Sequence, residues 1–221
     1  MRAKDWKPIA SAKVLIIGED SNLQWSGKVP EVVMFADYYF RPFPIDHGER
    51  SRNVESQNLF KYLIELTDNK IDADEMYFTN LCNDDVEPAP KGKRVLIPEA
   101  KAVKGLDHIE WILSQNPTIK YVLAMSLQTN YWLQKLGFYT SDPEFIAAAE
   151  PRRTGVECIT PYYQPVGGKA FATICGNVYD SKNFPVQIIP ILPAKDYPLS
   201  ELNQERYGKA LHFVSEFFKK I

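Results

Sequence analysis

Cysteine and histidine are scarce in this chain, long apolar runs are missing, and neither sign of charge prevails. Each shortage removes a class of protein. Three cysteines, spaced by 76 and 17 residues, form neither a disulfide framework nor a CxxC metal pattern. No apolar run approaches the roughly 18 residues of a membrane-spanning helix, and the N-terminal "MRAKDWKPIASAK" is too polar for a secretory leader. The expectation is a cytoplasmic protein of a reducing compartment, with no membrane partner. A formal net charge of −2 and a pI near 6.0 give no global basic field to attract nucleic acid, which leaves only local patches for that role. The three histidines follow no metal-ligand spacing. His108 and His212 fall within helical patterns, where packing or surface roles are the ordinary reading, and His47 is the one placed in a long loop. No GxSxG elbow, Walker loop or GxGxxG occurs, which argues against the common hydrolase, kinase and dehydrogenase classes.

What is present is the composition of a globular protein, 45% hydrophobic and 24% charged. At 221 residues, with no repeat, low-complexity segment or linker, residues 1–221 are expected to form one domain. Apolar runs alternate with helical patterns. "KVLIIG" reads as a buried strand, "VESQNLFKYLIELTD" as a helix, and "EMYFTNL" as a second strand. "PEAKAVKGLDHIEWILSQNP" predicts a helix with Val103, Leu106, Ile109 and Leu113 inward, stopped before Pro117. "TIKYVLAMS" reads as a third strand feeding the helix "SLQTNYWLQKLG", which Gly137 ends. The apolar runs "VECITPYY", "KAFATICGNVY" and "VQIIPILP" come next. A last helix is expected from about Leu199 to Lys219, with Leu202, Leu211, Val214, Phe217 and Phe218 inward. The alternation implies an α/β three-layer sandwich: a central, mostly parallel, four-stranded type of sheet with helices on both faces. The long, aromatic stretch from Trp25 to Arg52 breaks the alternation, and long ordered loops are commonly functional.

Ligands of open parallel sheets gather at the carboxyl ends of the strands. Four places would meet there: Asp20, Asn80, Ser126 and the residues after Pro193. Asp20 either caps a turn or holds and polarises a water. Asn80 either caps a turn or reads a heterocycle edge with its one acceptor and two donors. In "YYFRPF", Phe40 or Phe43 either packs against the core or offers a stacking platform worth ~1–3 kcal/mol per base. The basic loops "APKGKR", with Lys91, Lys93 and Arg94, and "EPRRTG", with Arg152 and Arg153, are solvated surface or phosphate contacts.

The order of these features resembles the uracil-DNA glycosylase superfamily. "IIGEDSN" is similar to its first motif, a Gly-x-Asp, Gly-x-Asn or Gly-Glu-x-Pro directly after the first strand. The resemblance implies that Asp20 activates water and that Gly18 and Glu19 border the base. "FRPFPIDHGERS" resembles the "GRPF…GR" segment of the iron–sulfur branch, which implies that Phe43 stacks on the base. "FTN" looks like that branch's "ITN", which puts Asn80 at the uracil-reading position. "IEWILSQNPTIKYVLAMS" resembles the family passage "pEi..i.P..iv.lG". The likeness runs from residue 13 to 218 through short motifs. Three departures accompany it. The late strand "QIIPILP" runs into "AKDYPLS" where the family has a His-Pro-Ser motif, so Lys195 is the nearest cation and Tyr197 the nearest neutral donor. Ser21 replaces the usual Pro. The iron–sulfur cysteines are missing, so neither cluster nor other cofactor is expected, and no metal.

The resemblance implies a DNA glycosylase that flips a uracil, or another deaminated or damaged base, and hydrolyses its N-glycosidic bond; the sequence leaves the oligomeric state open, with a monomer favoured. One alternative is a non-catalytic nucleobase or nucleic-acid binder on the same scaffold, since fold does not fix function. Another is a metal-dependent nucleotide or nucleoside hydrolase that pairs Asp20 with Asp84 or Asp85 of "CNDDVEP".

Overall fold

In the computed structural model, residues 5–7, 11–20, 33–41, 47–83, 94–149, 153–154, 158–159, 170–194 and 200–221 are described. The first strand, β1 (Val14–Asp20), has no exposed surface from Val14 through Ile17. Such a run buried on both faces belongs in the middle of a parallel sheet. A short 3₁₀ helix (Val33–Tyr38) follows, then α1 (His47–Leu66), a second 3₁₀ turn (Ala73–Glu75) and the fully buried strand β2 (Met76–Cys82). The two-residue strand β3 (Arg94–Val95) precedes α2 (Glu99–Gln115), β4 (Tyr121–Met125), α3 (Leu127–Lys135) and α4 (Pro143–Ala149). The chain closes through the short strands β5 (Arg153–Thr154) and β6 (Cys158–Ile159), a helical turn over 170–174, β7 (Tyr179–Asp180), β8 (Gln187–Ile191) and α5 (Glu201–Lys219).

The central sheet has five strands in the order β2-β1-β4-β8-β7. Its first four are mutually parallel, as expected, and the short β7 adds an antiparallel edge that the apolar pattern did not announce. From β1 the chain steps to β2 on one side, then crosses back over β1 to reach β4. Parallel crossovers are right-handed, so a reversal of direction requires helices on opposite faces. The apolar clusters have that arrangement. Leu15, Ile17, Tyr77 and Val122 pack with Ile109 and Leu113 of α2 and Trp132 of α3. Val14, Ile16, Phe78 and Leu123 pack on the other side with Leu59, Phe60 and Leu63 of α1 and Val214 and Phe218 of α5. The point of reversal lies between β1 and β4.

Both sheet edges end in isolated antiparallel bridges, Trp6 with Phe78 beside β2 and Tyr139 with Ser181 just past β7. Trp6 exchanges both backbone hydrogen bonds with Phe78, at 3.1 and 3.0 Å.

Two helices differ from the sequence expectation. The helix expected from Val54 begins at His47, inside the stretch read as a long loop. On α2, Ile109 and Leu113 are buried and Leu106 half-buried as expected, but Val103 is 40% exposed, while Ala102, Gly105 and Ile112 face the sheet. The cause lies at Gly105, where an added Cβ would sit 1.7 Å from the carbonyl oxygen of Leu81. The helix rests directly on the backbone of β2, so smallness rather than hydrophobicity selects its contact face. On α5, Val214 and Phe218 are buried with Tyr207, while Leu211 and Phe217 are half-buried. The side chain of Leu202 lies outside the described residues.

Candidate functional site

The end of β1 is gripped from both faces of the sheet. On the α1 face, Gly18 stands in register with Asn80 of β2. A Cβ on Gly18 would lie 2.5 Å from Oδ1 of Asn80 and 3.1 Å from a methyl of Val33. Gly18 is therefore the residue that lets the Asn80 amide lie over the strand. That amide is buried, and its Nδ2 reaches Oδ1 of Asn83 at 3.5 Å. Asn83 in turn contacts Oγ1 of Thr79 and the carbonyl of Asn80, each at 3.4 Å. Contacts of this length are weaker than ordinary hydrogen bonds. A buried amide that carries donor and acceptor atoms in one plane is suited to reading another planar amide.

On the α2 and α3 face, Glu19 is half-buried and accepts from Nε2 of Gln128 at 2.6 Å. Gln128 accepts in turn from the backbone N–H of Ile97, also at 2.6 Å. One side chain thus ties the carboxylate at the end of β1 to the segment leading into α2. Between the two faces, Thr129 donates its hydroxyl to the carbonyl of Gly18 at 3.2 Å.

The end of β4 carries the strain. Ser126 caps α3 with φ 75° and ψ 158°. This backbone region is essentially glycine's, and a side chain there costs on the order of 1–3 kcal/mol. A dense set of bonds holds it. The Ser126 N–H donates to Ile191 at 3.3 Å, and its carbonyl accepts from Nδ2 of Asn130 at 2.7 Å. Its hydroxyl accepts from the Thr129 N–H at 3.3 Å and lies 3.2 Å from Oγ1 of the same residue. Asn130, fully buried, also donates to Ala124 and accepts from the Tyr139 hydroxyl at 2.6 Å. At the end of β8, the Tyr62 hydroxyl of α1 donates to the carbonyl of Leu192 at 3.2 Å.

Of the residues singled out from sequence, Gly18, Glu19 and Asn80 come together at this crest. Asp20 is the last residue of β1, two positions beyond Gly18 and in register with Cys82, and its side chain lies outside the described residues. Phe43, Lys91, Lys93, Arg152, Lys195, Tyr197, Ser21, Asp84 and Asp85 also lie outside them. Arg94 and Arg153 are placed by their backbones, in β3 and β5. His47 opens α1, and His212 is exposed on α5. Phe40 is 42% exposed, with one ring face against Trp6 at 5.1 Å and nearly parallel. Gln128, Thr129 and Val33 were not picked out from sequence. The available signal was "SLQTN", a run of polar residues straight after a buried strand, where a surface helix would start with its polar face outward.

A second polar cluster sits beside β2 and meets the crest at the Thr79 hydroxyl, which also lies 3.4 Å from Nδ2 of Asn83. Asp5 accepts from Oγ1 of Thr79 at 2.7 Å and from the Tyr77 hydroxyl at 3.2 Å, and pairs with Nε2 of His108 at 2.6 Å. His108 stacks on Trp111. Burial, followed by the neighbouring Asp5 charge, pushes the Tyr77 phenol well above its usual range. Among the described residues no group of three or more His, Cys, Asp or Glu is placed to hold a metal ion, and no helix is long and apolar enough to cross a membrane. The chain matches no protein-family model and no curated protein sequence.

Proposed function

We propose that the crest of β1 and β2 is a nucleobase pocket and that the protein hydrolyses the N-glycosidic bond of uracil or another deaminated base in DNA. The observation that carries this reading is the buried Asn80 amide lying over Gly18, with Asp20 two residues further along the same strand. It is supported by the position of this amide at the carboxyl end of a parallel sheet, over the strand β1 that borders the point where the direction of chain crossover reverses. The strained Ser126 adds to it, because backbone held in a glycine region concentrates at functional sites. It also stands where the resembling family passage ends in Gly.

The target base leaves the stack and enters the pocket, stacked on Phe43 and read along its edge by Asn80. Asp20 orients a water and accepts its proton as oxygen bonds to the sugar carbon. The glycosidic bond breaks, and its electron pair leaves with the base as an anion that later takes up a proton. The usual late His, which would meet that anion, has no counterpart, and a donor of this kind is worth ~2.7–4 kcal/mol, or roughly 10²–10³ in rate. Slow turnover is the consequence, with Lys195 or Tyr197 as the substitute donor.

Labelled single- and double-stranded oligonucleotides carrying uracil, hypoxanthine or xanthine test the reading, with Asp20→Asn beside the wild type. Abasic sites made by the wild type and lost in a folded Asp20→Asn variant are expected. Equal activity of the two proteins sinks the assignment. The missing late His specifically favours a second reading, a binder of flipped or free bases that does not cut. Lesion-selective binding without abasic product identifies it.

A further inference from the structure

The small sheet has the order β3-β6-β5, and its register joins two basic segments that are 59 residues apart, counted from Arg94 to Arg153. Arg94 of β3 pairs opposite Ile159 of β6 from one side. Arg153 of β5 pairs opposite the same Ile159 from the other side. The two arginines are therefore register equivalents on the outer strands, separated by one intervening strand. Two strand spacings of about 4.8 Å set their Cα atoms roughly 10 Å apart. Along a nucleic-acid strand, phosphates advance about 3.4 Å of axis per nucleotide, so this separation matches roughly three steps.

We infer that this three-stranded sheet is a two-arginine clamp for the sugar-phosphate backbone of a nucleic acid. Charge and residue type favour that ligand. Lys91, Lys93 and Arg94 lie within three positions of one register site, and Arg152 and Arg153 within three of the other, against Glu150 and the neighbouring Glu157. The chain as a whole is slightly acidic, so this is a local excess rather than part of a general basic field. Arginine presents a planar fork of donors that takes phosphate oxygens in pairs. Contacts of this kind set register and carry no base information, which is the complement of a pocket that reads one base. The choice of nucleic acid over other polyanions rests on the proposed function, but the clamp needs no bond cleavage.

Its test is the salt dependence of binding to an undamaged, fluorescently labelled single strand and its duplex, read by anisotropy across a potassium chloride series. Arg94→Gln/Arg153→Gln is expected to weaken binding of every sequence alike. It should flatten the single-strand log–log salt slope by about 1.4, two phosphates at ~0.7 each. Each single variant should account for half of that change, since the register makes the sites equivalent. Arg94→Lys/Arg153→Lys, which keeps the charges in a fold-conserving pair, should retain the wild-type slope with weaker binding. Lys61→Gln/Lys209→Gln, on the exposed faces of α1 and α5, should leave the slope unchanged. An unaltered slope in the folded Gln double variant overturns the clamp, and so does a wild type that binds neither strand form. Excision is not read, so a protein that binds as expected but never makes abasic sites keeps the clamp and loses only the proposed reaction.

Discussion

Two polar clusters flank the same edge of the sheet, and they are built on opposite principles. Around Asp5, three donors converge on one carboxylate: the Thr79 and Tyr77 hydroxyls and the His108 ring. Every strong interaction there is closed within the protein, and its effect is to fasten the segment before Trp6 to β2 and α2. Around Gly18, the bonds serve to hold atoms in place at a strand end. Asn80 makes long contacts, Glu19 is held through one oxygen by Gln128, and Ser126 is kept in a conformation it would not choose. An acid paired with a histidine is the usual sign of chemistry, yet here it marks the fastening. Backbone strain held at a strand end is the better sign of a place where something else binds.

Removing the fastening should produce the largest effect. Asp5→Ala leaves two hydroxyls and the His108 ring without their acceptor, and such losses cost about 1–3 kcal/mol per stranded group. All three interactions are only partly buried, so water replaces much of what is lost, and a combined loss of roughly 2–3 kcal/mol in urea unfolding is expected. A stability change within ~0.5 kcal/mol would show that Asp5 is not a fastening.

The crest should answer in the other direction. Ser126→Gly relieves the positive φ, worth ~1–3 kcal/mol, and glycine as a helix cap costs only a few tenths. A net gain of about 1 kcal/mol is expected. Ser126→Ala keeps the strain, loses the cap and should cost about 1 kcal/mol. If both variants destabilise equally, the strain is not there.

The smallest effect is spectroscopic. Burial raises the phenol of Tyr139 above the usual value near 10, and Tyr77 is raised by burial and then by Asp5. The folded form therefore retains protons that the unfolded form gives up above about pH 10. The stability these groups contribute is fully present below that pH and declines as pH rises through and beyond it. Difference absorbance during alkaline titration should show these two tyrosines ionising late. In Asp5→Asn, Tyr77 should ionise earlier while Tyr139 does not move. A Tyr77 indifferent to Asp5 would separate the phenol from the cluster.

The strands were the most legible part of the sequence, because Val14–Ile17 and Met76–Phe78 are continuous apolar runs buried on both faces. The crest was half legible. Gly18 and Asn80 were each visible as strand-end residues, and the parallel register supplied what no pattern contains, their being neighbours. The start of α1 was hidden because "HGERSRN" offers no apolar period from which a helix can be read. Gln128, Thr129 and Asn130 were hidden for the opposite reason. They are polar side chains fully or almost fully withdrawn from water, and hydrophobicity reports such residues as surface. The Asp5 fastening joins residues 103 positions apart, and only the folded chain brings them together.

The bridges at the two margins of the central sheet occupy edge positions that matter for pairing between molecules. A bare edge strand offers a row of unmet N–H and C=O groups on which a strand of a second molecule can grow. Trp6 occupies that position beside Phe78 and Tyr139 beside Ser181, so neither margin is left wholly open. The indole is further wedged by Phe40, Phe60 and Phe78, which makes it hard to peel away. A single tryptophan and a single tyrosine thereby take up backbone positions that a strand of a second molecule would need.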